Sequence, residues 1–206
     1  MRMPIKTKDR EYRNMLQVTV TAEDVNKRID SDYYVEGYAT TWDTYLLFEM
    51  DGVEYFERID PRAFDDADFS DIIMQYDHTG RVFARSSNET LIVEPDEHGL
   101  FICADLSKSE GARELYKEIK EGLITKMSWA FRASGETYDR DTRTRSITKV
   151  KKIYDVSAVS IPANDTTEIT ARSFVEGVIN EEHQELMERE RQLHLHTFYK
   201  QKRGVK

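Results

Sequence analysis

Three polar side chains stand in settings where they could perform covalent chemistry. Ser128 interrupts the apolar run GLITKMSWAF, His78 ends DIIMQYDH just before a Thr-Gly turn, and Asp155 lies in the apolar segment KKIYDVSAV. A serine hydroxyl becomes a nucleophile when a base lies within hydrogen-bond reach and a third group orients that base. The chemistry to test is attack by Ser128, with His78 as the base and Asp155 as the orienting acid.

Ser128 lies in a segment that alternates like a β-strand. The odd positions from Leu123 to Phe131 are mostly bulky and predict the core face, whereas Ser128 falls on the opposite face, between Lys126 and Ala130. This predicts a half-open hydroxyl on a rigid element, which suits a nucleophile. The alternative is a serine on a solvated face with no chemical role.

His78 is the best-placed base among the five histidines. The turn that follows it predicts a position at the rim of a sheet. His98 falls in the hairpin turn EPDEHGL and is expected to be solvated, and the remaining three histidines fall in the C-terminal tail: His183, His194 and His196. The alternative for His78 is a structural or solvated imidazole.

Asp155 is a carboxylate in an apolar strand, where an ionised side chain must find a partner. If its strand pairs with the strand of Ser128, the two groups lie on neighbouring strands. The alternative is a salt bridge from Asp155 to one of the nearby lysines.

Two other kinds of site are less well supported. A carboxylate cluster with one imidazole could bind a divalent metal, but its spacing matches no known motif, so no metal and no cofactor are expected; its members are Asp65, Asp66, Asp68, Asp71, Asp77 and His78. Cys103, the only cysteine, lies in the alternating strand LFICADL, which predicts a buried, inert thiol and excludes an internal disulfide.

The elements that must position these groups are mostly strands. Hairpins are predicted at YLLFEM-DG-VEYFERI and TLIVEPDEHGLFICADL, and a helix at GARELYKEIKEG, capped by Ser109 and stopped by Gly122. We therefore expect an α+β, mainly β fold: an antiparallel closed or partly closed β-barrel with a central helix. Residues 1–14 are expected to be flexible, and residues 173–206 to form a C-terminal helical extension.

Composition excludes several classes of function. The net charge is −9, and twelve Asp and Glu stand against two Arg between Glu36 and Asp77, a balance that repels nucleic acid. No apolar stretch approaches the roughly 18 residues of a membrane span, and the start MRMPIKTKDR has no apolar region behind it. Neither nucleic acid nor a membrane is expected as a partner.

The order of these segments resembles a known family. YDH-TGRVFAR, then an alternating hairpin, then a helix ending in EGLITKMSWAF, then IYDVSAVSIPANDTT is similar to the prohead proteases of tailed bacteriophages. These are capsid-maturation serine peptidases with a fold like that of the herpesvirus assemblins. The resemblance covers roughly residues 33–172 and implies a protease domain over residues 15–172.

The resemblance implies a nucleophile at Ser128, a base at His78 and an acid at Asp155. Two positions depart from the family pattern: members often carry Glu where this chain has Asp155, and Gly where it has Ala130. The first change shortens the acid by one methylene. By the same likeness, the oxyanion donors would come from the backbone of the loop PANDTT, at Ala163 and Asn164.

The resemblance also implies a biological setting. Such an enzyme cleaves scaffolding segments and capsid precursors, including the major capsid protein, and itself, inside the immature procapsid in the host cytoplasm. A homo-oligomer, with a dimer as one form, is expected. The competing hypothesis is a catalytically silent assembly protein that uses the same fold as a scaffold.

Overall fold

The computed structural model describes residues 10–17, 27–50, 52–159, 177, 184–185 and 187–193. The chain divides into two compact units, Thr7–Glu168 and a second made of Met1–Lys6 with Ile169–Lys206. In the second unit, residues 177, 184–185 and 187–193 are helical, and the rest of the predicted extension lies outside the described residues. No helix among the described residues is long and apolar enough to cross a membrane.

The larger sheet has seven strands and carries the candidate site. They are β1 (Glu11–Gln17), β3 (Tyr45–Met50), β4 (Val53–Ile59), β5 (Ile73–Tyr76), β6 (Thr79–Arg85), β9 (Lys126–Asp139) and β10 (Thr144–Val159). The order is β1-β9-β10-β4-β3, with β5 paired to β10 and β6 paired to β5. Strand β10 therefore pairs with β4 near its start and with β5 near its end.

The smaller sheet is antiparallel, in the order β2-β8-β7. Its strands are β2 (Tyr34–Thr41), β7 (Leu91–Pro95) and β8 (Gly99–Asp105), and every residue of β8 is buried. Gly99 is required at the start of β8, because a Cβ there would lie 2.1 Å from the backbone oxygen of Thr40.

The predicted helix forms as α1 (Glu110–Lys120). The Ser109 hydroxyl caps it by accepting a hydrogen bond from the Ala112 N–H at 3.1 Å, and Gly122 follows it with a φ of +73°. Its buried face consists of Ala112, Leu115 and Ile119. Short 3-10 helices form at Pro61–Phe64 and Ser86–Asn88.

The expected antiparallel barrel was wrong in two respects. The larger sheet is mixed, because β10 runs parallel to both β4 and β5. Neither sheet closes on itself within the described residues. Parallel pairing joins strands that are distant in sequence, so hairpin patterns alone did not predict it. The mainly β, α+β content was predicted correctly.

Bulky side chains of the long strands form the core. The odd positions of β9 from Met127 to Ala133 are buried, as alternation predicts, and the rings of Trp129 and Phe131 stack at 4.0 Å. Leu123 does not belong to this face, since β9 begins only at Lys126 and Leu123 is 75% exposed.

The N-terminal segment contributes a strand to the larger sheet. Residues 1–9 lie outside the described residues, but from Glu11 the chain forms β1, paired antiparallel with β9. Glu11 and Arg13 are buried although both are ionisable. Their burial is explained by an ion-pair network with β4 and β10.

The centre of this buried network joins three strands, β1, β4 and β10, and Glu136 adds β9. Arg13 donates to Glu57 Oε2 at 2.8 Å and to Glu11 Oε2 at 2.7 Å. Arg145 donates to the same two carboxylates, at 3.0 Å and 2.7 Å, and to Glu136 at 2.7 Å. Burial alone would raise the pKa of Glu11, but the two guanidinium groups more than offset it and lower that pKa to about 2.

Removing one cation from this network should be costly. In Arg145→Met, Arg13 is the one cation of the network left to Glu11 and Glu57, so we expect the free energy of unfolding to fall by about 3–5 kcal/mol. Urea denaturation measures it. Arg58→Met is the control, because Arg58 is exposed and bonds the Ser146 hydroxyl; it should cost less than about 0.5 kcal/mol. Equal losses in the two variants would contradict the role of the network.

The network also predicts acid sensitivity. Because the folded-state pKa of Glu11 lies at about 2, below the ordinary 4.5, its contribution is present above pH 4.5 and is lost as the pH falls toward 2. The shift corresponds to about 3 kcal/mol. Urea denaturation between these pH values should show a shallower loss in Glu11→Gln than in wild type, and an identical slope would contradict the assignment.

Candidate active site

His78 is presented by a tight turn between β5 and β6. Tyr76 pairs with Thr79, so Asp77 and His78 are the two turn residues, with φ of +48° and +57°. Positive φ at both positions is the requirement of a type I′ hairpin turn, which usually uses Asn and Gly. The Asp77 N–H donates to the Ala158 oxygen at 3.0 Å and ties the turn to β10. A histidine in this costly conformation favours a functional role over a structural one.

Ser128 lies in the interior of the sheet. Strand β9 is paired with β1 on one side and β10 on the other, so Ser128 stands opposite Asn14 and opposite Ser157. Ser128 is 0% exposed. The prediction of a half-open hydroxyl was therefore wrong. On this face His78 Nε2 lies 2.6 Å from Ser128 Oγ, a long-range contact that the alternation of one strand does not indicate.

Asp155 reaches the same face of the sheet from β10. It lies opposite Ala130 in β9 and opposite Ile73 in β5. Its side chain is 3% exposed and accepts hydrogen bonds from His78 and Ser157. The alternative of a salt bridge to a nearby lysine is not what the structure shows: Lys152 donates to Asp68 at 2.8 Å instead.

These three side chains converge into one hydrogen-bonded chain. His78 Nδ1 lies 2.5 Å from Asp155 Oδ1, and His78 Nε2 lies 2.6 Å from Ser128 Oγ. With Asp155 ionised, Nδ1 carries the proton and donates it to the carboxylate. Nε2 then has a free lone pair that accepts the Ser128 O–H. This arrangement can remove the serine proton as Oγ attacks an electrophile.

Further residues complete the surroundings of the imidazole. Tyr12, in β1, packs its ring edge-to-face with the His78 ring, with centroids 4.6 Å apart. The Ser157 hydroxyl donates to Asp155 Oδ1 at 2.8 Å. Sequence reasoning missed both residues. The spacing of Asp155 and Ser157, two apart on one strand, was a signal for the second; no pattern indicated that β1 would bring Tyr12 here.

The carboxylate cluster that was considered as an alternative metal site does not converge. Four of its carboxylates pair with separate cations: Asp65 with Arg62, Asp66 with Lys149, Asp68 with Lys152 and Asp71 with Arg85. The described residues contain no group of three or more His, Cys, Asp or Glu side chains that could hold a metal ion. Ion pairing on the surface accounts for these carboxylates.

Two other predicted sites have different outcomes. Cys103 is buried in β8, and burial raises the pKa of its thiol, as expected for an unreactive cysteine. Ala163 and Asn164, the expected oxyanion donors, lie outside the described residues, as do His183, His194 and His196. The oxyanion assignment therefore remains a prediction.

A known protein family matches most of this chain. The family model described as caudovirus prohead serine protease matches residues 18–181 of this chain. The chain belongs to the caudovirus prohead serine protease family. Membership in this family supports a role in the maturation of a tailed-phage prohead. No curated protein and no solved structure shows significant similarity to the chain.

The turn that presents His78 yields a prediction with a closely matched control. Gly80 lies two residues after His78, at the start of β6, and has a φ of +76°. Gly52 in the β3–β4 hairpin has the same φ, and a Cβ at either position would meet nothing within 4 Å. Alanine at either position should therefore lower the free energy of unfolding by about 1 kcal/mol through backbone strain, without a steric clash. Thermal unfolding should show similar losses for Gly80→Ala and Gly52→Ala.

Only Gly80→Ala should reduce the reactivity of Ser128, because only that turn holds the imidazole. Gly52 adjoins β4, which pairs with the opposite end of β10 from Asp155. The rate at which a fluorophosphonate modifies the protein measures this reactivity. Equal rates in the two variants would show that the turn does not position His78.

Proposed function

We propose that this chain is a serine endopeptidase that cleaves scaffolding and capsid precursor segments during prohead maturation, with Ser128 as nucleophile, His78 as base and Asp155 as orienting acid. The observation that carries the proposal is the continuous hydrogen-bonded chain from Ser128 Oγ through His78 to Asp155. Three residues from three separate segments make this chain, in a family of serine proteases.

The proposed reaction begins when Ser128 Oγ attacks the carbonyl carbon of a peptide bond. His78 Nε2 takes the hydroxyl proton, and Asp155 stabilises the imidazolium through the Nδ1 proton. The tetrahedral intermediate collapses as His78 returns the proton to the leaving amine. Water, activated by the same imidazole, then hydrolyses the acyl-enzyme and frees Ser128.

The negative oxygen of the intermediate needs preorganised donors. We assign them to the backbone N–H groups of Ala163 and Asn164, on the family resemblance of the loop PANDTT that follows β10. Because Ser128 is buried and the His78 side chain is 11% exposed, a peptide carbonyl reaches Oγ only after local opening of the site.

The setting of the reaction follows from the family. We propose that the enzyme acts inside the procapsid, in the host cytoplasm, on the major capsid protein and scaffolding segments and on itself, as a homo-oligomer such as a dimer. The competing hypothesis, a catalytically silent assembly protein, is based on the shorter acid at Asp155. That argument loses force because Asp155 Oδ1 lies 2.5 Å from His78 Nδ1 without the extra methylene of Glu.

Co-expression with the cognate major capsid and scaffolding proteins tests the proposal. Wild type should produce shortened fragments, whereas Ser128→Ala and His78→Gln should accumulate uncut precursor. Mass spectrometry of the fragments measures the difference. Ser146→Ala is the control and should cut like wild type. Ser146 is also on β10, but its hydroxyl accepts a hydrogen bond from the exposed Arg58. Cutting by Ser128→Ala at the wild-type level would exclude the serine mechanism.

The same assay tests the acid and the metal alternative. Asp155→Asn should cut more slowly than wild type but retain more activity than Ser128→Ala, because the nucleophile and base remain. Wild-type activity in Asp155→Asn would remove Asp155 from the mechanism. Cleavage that EDTA abolishes would favour a metal-dependent hydrolase.

A further inference from the structure

A second hydroxyl lies beside the proposed catalytic groups. Ser157 is two residues after Asp155 on β10, opposite Ser128 in β9 and opposite Gln75 in β5. It is 0% exposed, and its Oγ donates to Asp155 Oδ1 at 2.8 Å. A buried hydroxyl without a hydrogen bond would be costly, so this bond accounts for the polarity of the position.

The charge on Asp155 explains why such a donor is needed. The carboxylate is 3% exposed, and no Lys or Arg of the described residues forms an ion pair with it; its recorded partners are His78 Nδ1 and Ser157 Oγ. Both donors bond the same oxygen, Oδ1. Each therefore takes part in fixing the direction of the carboxylate and its lone pairs.

We propose that Ser157 is a positioning residue for the acid and base: its hydroxyl holds the Asp155 carboxylate oriented toward His78 Nδ1. The inference rests on the proposed function, since it acts through the same acid and base. Ser157 transfers no proton and touches no substrate. It fixes Asp155, Asp155 fixes the imidazole tautomer, and the imidazole then accepts the proton of Ser128.

This role predicts a specific kinetic change. Without the hydroxyl, Asp155 keeps one donor and is free to rotate away from the line to Nδ1, so fewer molecules hold His78 in its reactive tautomer. The rate of attack by Ser128 should fall about 10- to 100-fold, as expected for loss of a hydrogen bond to a charged group. Binding of a ligand at the site should change little, because the role assigned to Ser157 is to hold Asp155 and not to bind the ligand.

Two substitutions separate the hydrogen bond from packing. Ser157→Ala removes the donor, whereas Ser157→Cys keeps a group of similar shape but donates only weakly. Ser146→Ala is the control on the same strand. The probe is a fluorescent fluorophosphonate, which needs no knowledge of the cleavage site and modifies an activated serine. The maximal labelling rate and the probe concentration for half-maximal rate are measured separately, and thermal unfolding shows that each variant is folded.

We expect the maximal labelling rate to fall about 10- to 100-fold in both Ser157→Ala and Ser157→Cys, with the half-maximal concentration within about threefold of wild type. Labelling of Ser157→Cys at the wild-type rate would show that Ser157 only fills space. A wild-type rate in Ser157→Ala would overturn the inference and leave the proposed function intact. Folded wild type that does not label at all, like Ser128→Ala, would overturn both.

A spectroscopic signature completes the test. The exchangeable proton on His78 Nδ1 is identified in the proton NMR spectrum by its absence in His78→Gln. Its resonance should move in Ser157→Ala, because the competing donor on Oδ1 is gone, and should stay in place in Ser146→Ala. An unmoved resonance in Ser157→Ala would contradict the positioning role.

Discussion

The register of β10 is the constraint on which the candidate site depends. This strand pairs with β9 on one side and with β5 on the other, so it holds Asp155 between the strand of Ser128 and the strand that leads into His78. A slip of one residue would turn Asp155 and Ser157 to the opposite face of the sheet. The three groups of the proposed mechanism would then no longer meet.

Irregular pairing reconciles this register with the core. The buried apolar residues of β10 fall three apart over Ile147, Val150, Ile153 and Val156, and the ladder with β9 shifts register at several points over this stretch. Each extra residue rotates the strand and keeps its apolar side inward. By Asp155 the strand has both faces buried, one against the core and one at the site.

The buried ion network supports the other end of the same sheet. Arg145 near the start of β10 and Arg13 in β1 share the carboxylates of Glu11 and Glu57. Buried charges must be matched in position as well as in sign, so this network fixes the places of three strands relative to one another. It thereby keeps β1 against β9, where Tyr12 contacts the His78 ring.

The sequence predicted what local chemistry determines. The capped helix, the two hairpins and the core face of β9 follow from caps, turns and alternation. The candidate site residues were proposed because polar groups interrupt apolar strands, in an order that resembles the family. What could not be predicted depends on distant partners. Glu11 and Arg145 are 134 residues apart, and no periodic pattern connects them. The parallel pairing of β5 with β10 and the burial of Ser128 also depend on residues distant in sequence.

Mapping the site of covalent modification on the folded protein shows whether His78 activates Ser128. Folded protein is treated with diisopropyl fluorophosphate, digested, and analysed by peptide mass spectrometry. We expect one adduct, on the peptide that carries Ser128. This adduct should be absent in His78→Gln. An unmodified Ser128 in folded wild type, or equal modification in His78→Gln, would contradict activation of Ser128 by His78.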